Sequence, residues 1–197
     1  MKKLLLSVFL LSGLVLFANS NAQAQFAIKG GVNFANFNDT DASADSRTGL
    51  MAGISYGFQI PFSPVSIQPG VFYTQKGAKY SEGSAETTTK LDYIEVPVVA
   101  KFDFVLDNPM LTPHVYFGPY VGFNINAEQE FSGVDGEASG DIEDQIKKTD
   151  FGVVVGAGAD ISKFNLGVRY SAGLTSIYDN GGDAKNGVFS IVAGFNF

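Results

Sequence analysis

The chain has 197 residues with 23 glycines, 18 phenylalanines, no cysteine and no tryptophan. The length suits a single domain, and the absence of cysteine excludes a disulfide framework and thiol chemistry. The formal net charge of −7 argues against nucleic-acid binding, which needs a basic surface.

The first residues predict an export signal. A basic start at Lys2 and Lys3 precedes the apolar run Leu4–Phe17, and Ala22-Gln23-Ala24 is a small-x-small cleavage site. We therefore expect residues 1–24 to be a cleaved signal peptide and residues 25–197 to form the mature domain. No later segment approaches the ~20 uninterrupted apolar residues that a spanning helix needs.

Eight later segments alternate with a period of two, which is the side-chain period of a β-strand. In the second segment Leu50 and Ile54 take one parity, whereas Gly53 and Ser55 take the other. Because lipid forbids open sheet edges, the pattern predicts an all-β fold, an eight-stranded antiparallel transmembrane up-and-down β-barrel. The segments are Phe26–Phe37, Thr48–Ile60, Val65–Lys76, Leu91–Phe104, Pro113–Asn126, Lys148–Asp160, Phe164–Gly173 and Gly187–Phe197.

The connections between these segments alternate in length, as outer-membrane barrels require. This pattern predicts an outer-membrane location with the long loops extracellular and both termini periplasmic. We expect the protein to be a monomer surrounded by membrane lipid and lipopolysaccharide. The long connections are Asn38–Arg47, Gly77–Lys90, Ala127–Lys147 and Leu174–Asn186, the short ones are Pro61–Pro64 and Ile161–Lys163, and Val105–Thr112 is intermediate.

Aromatic residues collect near the predicted strand ends, where girdles at the two membrane interfaces are expected. The last strand ends in Phe195 and Phe197, which we interpret as a C-terminal signal for the barrel-assembly machinery. One expected girdle contains Phe34, Tyr73, Phe123 and Phe151, and the other contains Phe58, Phe102, Phe117, Phe164 and Phe197.

Three prolines, Pro69, Pro97 and Pro119, lie inside predicted strands. Each removes a backbone donor from a sheet that has no edge to hide it. We expect local bulges at these positions, which would shift the two faces by one residue.

The proline-bearing strands carry a family resemblance. In order, the chain contains Lys29-Gly-Gly-Val-Asn-Phe34, Ile67-Gln-Pro-Gly-Val-Phe-Tyr-Thr-Gln-Lys-Gly77, Tyr93-Ile-Glu-Val-Pro-Val-Val-Ala-Lys101, Gly118-Pro-Tyr-Val-Gly122, Phe151-Gly-Val-Val-Val-Gly-Ala-Gly158 and Leu166-Gly-Val-Arg-Tyr170. This ordered set resembles the PorT-like outer-membrane β-barrel family of Bacteroidetes-type bacteria, although Gly70 stands where that family often has a carboxylate. The resemblance implies an eight-stranded outer-membrane barrel, and one branch of the family belongs to the type IX secretion and gliding machinery.

Five charged residues share the inward parity, namely Lys29, Glu95, Lys101, Asp103 and Arg169. Charges facing lipid are costly, so an inward orientation is also the physical expectation. They could line a polar pore or a solute-binding lumen, or they could form ion pairs that plug the barrel. Because eight strands leave an interior just wide enough for side chains, we favour the plug.

His114 is the only histidine, and it starts the fifth strand near a predicted periplasmic turn. A single imidazole cannot supply a Cys/His zinc site, and no catalytic motif converges on it. We therefore expect an interfacial structural role for His114, and no catalytic, cofactor or metal site. The loop Ala127–Ile146 is rich in Asp and Glu with no Lys or Arg, and is interpreted as a solvated acidic loop, with cation-bridged lipopolysaccharide binding as the alternative.

These observations predict a non-enzymatic envelope protein that serves structure or surface contact, with at most narrow solute passage. Three alternatives are a type IX secretion component, a soluble exported lipocalin-like barrel and an outer-membrane enzyme such as a protease or lipid-modifying acyltransferase. The single histidine argues against the enzyme. A lipocalin would invert the alternation, with apolar residues inside and polar residues outside.

Overall fold

The computed structural model describes residues 25–38, 45–82, 85–107, 110–133, 136–179 and 183–197. The predicted signal peptide, residues 1–24, lies outside the described residues. Among the described residues no helix has the length and hydropathy needed to cross a membrane.

The described chain is built almost entirely of antiparallel strands. Its one short 3₁₀ helix, Glu143–Gln145, follows the sixth strand in the described part of the chain. The strands are β1 Gln25–Asn38, β2 Asp45–Gln59, β3 Val65–Glu82, β4 Ala85–Asp103, β5 Leu111–Gly133, β6 Gly136–Asp141, β7 Thr149–Ile161, β8 Phe164–Gly173 and β9 Lys185–Asn196.

Eight of these strands form a closed ring in the order β1–β2–β3–β4–β5–β7–β8–β9. The ring closes where β1 pairs with β9, from Ala27 opposite Asn196 to Asn38 opposite Lys185. At the end of the chain, the Phe197 amide donates to the Phe26 carbonyl over 2.9 Å. The predicted eight-stranded up-and-down barrel is therefore confirmed.

The two faces of the strands follow the predicted parity. On β2 the outward Leu50 is 59 % exposed, whereas the inward Met51 is 4 % exposed. The inner face carries small and polar residues because the strands curve tightly. At the inward Gly53, an added Cβ would overlap the Val71 carbonyl and the Phe72 side chain of β3. Close approach of neighbouring strands thus explains the glycine-rich lumen.

Three strands, β3, β4 and β5, extend well beyond their predicted ends at the end of the barrel where the long connections lie, called here the long-loop end. The predicted loop Gly77–Lys90 is instead a continuation of the β3–β4 hairpin, paired out to Glu82 opposite Ala85. The β-branched run Thr87–Thr89 favours this strand.

The predicted acidic loop is also largely strand. β5 continues to Gly133, and β6 returns beside it from Gly136 to Asp141, pairing among the described strands with β5 alone. Together β3, β4, β5 and β6 form a sheet beyond the ring, called here the sheet extension. Its sequence lacks the strict alternation of apolar and polar residues on which the strand prediction depends.

The three strand prolines leave the register unchanged. Between β3 and β4, the pairing is interrupted after Pro69–Val98 and resumes at Phe72–Glu95 in the same register. Between β4 and β5, it is interrupted after Pro97–Tyr120 and resumes at Ala100–Phe117, again in the same register. The prediction of bulges at the prolines is therefore wrong. The register shifts lie instead between Ser46 and Met51 on β2 and between Asp92 and Tyr93 on β4. The face assignments around the prolines therefore hold.

Aromatic rings gather on the outer surface at both ends of the ring. At the end with the short turns, called here the short-turn end, Phe195 lies 5.4 Å from Phe164 and 5.1 Å from Phe197 between ring centroids. At the other end, Phe34 and Phe189 face each other across β1 and β9 at 6.4 Å. Such rings are typical of the two interfaces of a membrane barrel.

Candidate functional site

An apolar cap closes the lumen at the long-loop end. Three of its members, Ile146, Ile177 and Ala184, come from connections rather than from the ring strands, and they are 3 %, 2 % and 5 % exposed. The Lys147 amide donates to the Ile177 carbonyl over 2.8 Å, which ties these two connections together. The buried residues of the apolar cap are Phe37, Ala78, Leu91, Tyr93, Ala127, Ile146, Ile177 and Ala184.

Below the apolar cap lies a buried group of four charged side chains and one tyrosine, called here the central charged cluster: Lys76, Glu95, Tyr120, Asp150 and Arg169. Lys76 Nζ lies 2.8 Å from Glu95 Oε2 and 3.2 Å from Asp150 Oδ2. Arg169 donates to the other oxygen of Glu95, and Tyr120 Oη donates to Asp150 Oδ2 over 3.0 Å. Two cations thus neutralise two carboxylates.

Aromatic rings and an amide add further contacts to the charged groups of the central charged cluster. Lys76 Nζ lies 4.5 Å from the centre of the Tyr120 ring, and Asn186 Nδ2 donates to Asp150 Oδ2 over 3.0 Å. The Arg169 guanidinium lies 5.3 Å from the centre of the Phe72 ring. Buried charges are tolerated when they are paired and hydrogen-bonded in this way. The cluster therefore fills the middle of the lumen.

Between the central charged cluster and the short-turn end lies a small cavity of about 30 Å³, lined by residues that include Lys29, Met51, Tyr116 and Val154. This volume holds roughly one or two water molecules. Within the described residues, side chains therefore fill most of this part of the lumen.

The short-turn end opens into a polar vestibule of about 390 Å³. Lys101 Nζ lies 2.8 Å from Asp103 Oδ1 and 2.6 Å from Asp160 Oδ2. His114 Nδ1 lies 3.5 Å from Asp160 Oδ2, and its ring is buried in the inner wall. The vestibule is lined by Gln25, Gly57, Gln59, Ser66, Gln68, Lys101, Asp103, Thr112, Asp160, Ser162 and Asn196.

The structure separates the five sequence-predicted lumen residues. Glu95 and Arg169 meet in the central charged cluster, whereas Lys101 and Asp103 meet in the vestibule. Lys29 lines the cavity between the two groups. His114 lies at the expected end of the fifth strand of the ring, but it faces the interior rather than the lipid interface.

Sequence reasoning missed Lys76, Asp150 and Asp160. All three share the inward parity of their strands, with Thr74 on β3 and with Gly152 and Gly158 on β7. Lys76 and Asp160 are the last residues of their predicted strands, and Asp150 lies near the start of its predicted strand. The parity signal was therefore present and could have found them.

A closed ring with an apolar outer face and paired charges inside defines a membrane β-barrel. The chain belongs to the outer membrane protein beta-barrel domain family, whose model matches residues 17–179. It is thus an outer-membrane β-barrel protein. Membership of this chain in the PorT-like branch of such barrels remains a prediction.

Several solved outer-membrane proteins are similar to this chain. Ail, the attachment invasion locus protein of Yersinia pestis, is 17 % identical over 88 % of this chain and 99 % of Ail, with a TM-score of 0.46. Neisserial surface protein A is 17 % identical over 88 % of this chain and 97 % of its own, with a TM-score of 0.47. The outer-membrane enzyme PagL is 16 % identical over 86 % of this chain and 98 % of its own, with a TM-score of 0.46. Among curated proteins none matches the chain.

Proposed function

We propose that this protein is a non-enzymatic outer-membrane barrel with a closed lumen, which carries the sheet extension for contacts at the cell surface. The observation that supports this function is the filled interior. The apolar cap and the central charged cluster lie one below the other, and the cavity beneath them measures only about 30 Å³.

The orientation of side chains argues against a lipocalin-like carrier. Such a barrel binds an apolar ligand inside and meets water outside. Here Glu95 and Lys76 are buried in the interior, whereas Phe117 and Phe164 are 67 % and 66 % exposed on the outer face. An apolar ligand would have to displace paired charges, which is unfavourable.

The surroundings of His114 argue against an enzyme that uses this residue. The ring contacts Asp160 and the Asn165 amide, at 3.5 Å and 3.4 Å. Neither side chain is a hydroxyl or thiol nucleophile of the kind that an adjacent imidazole activates. His114 instead belongs to the wall of the vestibule.

We place the sheet extension outside the cell and the vestibule in the periplasm, because long connections of such barrels face outward. The extension presents both signs of charge, with Lys79 Nζ 2.8 Å from Glu86 Oε1 and Lys90 paired with Glu130. Its edge strand β6 and the part of β5 that pairs with it are acidic. We propose lipopolysaccharide, bridged by divalent cations, as the contact for this acidic edge.

Ion-current recording in planar bilayers tests the closed lumen. We expect the purified, refolded protein to insert without stable unitary current steps, under conditions where a general porin gives clear steps. Reproducible steps from the wild-type protein would contradict the proposed function. The fraction of folded protein is checked by its heat-modifiable migration in gels.

A further inference from the structure

Three potential metal ligands converge in the wall of the vestibule. Asp103 lies at the end of β4, His114 near the start of β5 and Asp160 near the end of β7. These strands are neighbours in the ring, and Asp103 lies directly opposite His114. One carboxylate oxygen or imidazole nitrogen from each residue lies within 4.8 Å of the other two.

The His114 imidazole points to a ligand at this position. Its side chain is 2 % exposed, and its Nδ1 has no hydrogen-bond partner within the described residues. A buried ring nitrogen without a partner is costly, so such atoms call for a specific explanation. Nδ1 faces Asp160 Oδ2 at 3.5 Å, which places it at the edge of the carboxylate pair.

A cation already lies between the two carboxylates. Lys101 Nζ is 2.8 Å from Asp103 Oδ1 and 2.6 Å from Asp160 Oδ2. The lysine side chain is long and flexible, and the adjoining vestibule has room both for a displaced ammonium group and for a hydrated ion. The position therefore stabilises positive charge and is reachable from solvent.

We propose that Asp103, His114 and Asp160 form a binding site for a divalent transition-metal ion of the Zn²⁺ type, with the Lys101 ammonium as its internal competitor. One imidazole and two carboxylates favour such ions over Mg²⁺ and Ca²⁺, which prefer oxygen ligands alone. Water from the vestibule completes the coordination. The site does not depend on the proposed surface function.

The neighbouring amides are placed to support a bound ion. The Asn165 amide nitrogen lies 3.4 Å from His114 Nε2 and donates to Asp160 Oδ1 over 2.8 Å. When Nδ1 coordinates an ion, the proton of His114 lies on Nε2, and the Asn165 amide then turns its oxygen toward that proton and releases Asp160 Oδ1. Asp160 Oδ1 keeps the Asn196 amide donor at 2.9 Å. A single imidazole excludes a Cys/His zinc site, but the fold brings two carboxylates to it.

The test is titration of tag-free, full-length mature protein in detergent micelles with ZnCl₂, followed by calorimetry. We expect one ion per chain. His114→Gln and Asp160→Asn should each weaken binding by about tenfold or more, because each removes one ligand. Lys101→Met should tighten binding by about tenfold, because it removes the competing ammonium group. Asp45→Asn removes an exposed carboxylate on β2, away from both the vestibule and the acidic edge, and should leave the affinity unchanged.

A second readout uses the wild-type protein alone. The chain has one histidine, so its ¹⁵N-imidazole resonances report a single residue. We expect Zn²⁺ to shift the Nδ1 resonance of His114 with the same midpoint as the calorimetric titration. Absence of that shift, absence of binding, or binding that is unchanged in both ligand variants would overturn the site. Unchanged or weaker binding by Lys101→Met would overturn the competition. Variants are compared only when their heat-modifiable migration shows them folded.

Discussion

Lys76 Nζ lies 2.8 Å from Glu95 Oε2, and both side chains are almost completely buried, at 1 % and 2 % exposure. The pair joins β3 to β4 across the lumen side of the barrel, and Asp150 and Arg169 extend it to β7 and β8. With Tyr120 of β5, which donates to Asp150, the central charged cluster thus ties five strands of the ring together through their inner faces.

Removing the ammonium group of Lys76 should destabilise the barrel strongly. Lys76→Met leaves Asp150 buried without an ion-pair partner, which we expect to cost about 3–5 kcal/mol of unfolding free energy. The measurement is urea unfolding of protein in lipid vesicles, with the folded fraction read from gel migration.

A matched control is the exposed pair of the sheet extension. Lys79 and Glu86 are 37 % and 43 % exposed, and the hydrogen bond from Lys79 holds the pKa of Glu86 below its usual value. Lys79→Met should cost much less stability than Lys76→Met, because solvent screens such exposed pairs. Equal losses for the two lysine variants would show that the central charged cluster does not stabilise the ring.

Two adjacent glycines of β1 should respond differently to the same substitution. A Cβ at the inward Gly31 would overlap the Ile191 carbonyl of β9 and lie 3.2 Å from Met51 Cγ, whereas a Cβ at the outward Gly30 has its nearest neighbour at 3.7 Å. Gly31→Ala should therefore cost about 1–3 kcal/mol through overpacking.

Gly30→Ala serves as the control and should change stability by no more than about 0.5 kcal/mol, because its methyl group faces lipid. Both variants are compared by the same urea titration. A larger loss for Gly30→Ala than for Gly31→Ala would contradict the assignment of the two faces of β1.

The apolar cap should hold the two connections that close the long-loop end. Ile177→Ala removes a fully buried side chain, with an expected cost of about 2–4 kcal/mol. Limited proteolysis with mass mapping should then reveal new cleavage within residues 174–186. Leu174→Ala, at a side chain that is 61 % exposed, should leave the cleavage pattern unchanged.

The orientation in the membrane can be tested with single cysteines, since the chain contains none. Ser139→Cys lies on β6 of the sheet extension, and Lys163→Cys lies in the short turn between β7 and β8. A membrane-impermeant maleimide should label the first in intact cells and the second only after the outer membrane is permeabilised. The opposite result would reverse the proposed topology.

The barrel could be predicted from the sequence because lipid on one side and a narrow lumen on the other impose strict alternation. Leu50 and Met51 are both apolar, but their positions in the alternation correctly predict that Leu50 faces outward and Met51 faces inward. The sheet extension was not predicted, since strands such as β6 lie where no lipid enforces the alternation. The pairing of Lys76 with Glu95 also depends on register and strand order, which the sequence pattern alone does not specify.

The most direct test of the account is the accessibility of spin labels on the two faces of the ring. Labels at Ile54 and Val153, which are 46 % and 45 % exposed on the outer face, should relax with lipid-dissolved oxygen and resist a water-soluble nickel reagent. A label at the exposed Ser139 of the sheet extension should show the reverse. Strong relaxation of the Ile54 and Val153 labels by the nickel reagent would mean that water, rather than hydrocarbon, surrounds the barrel.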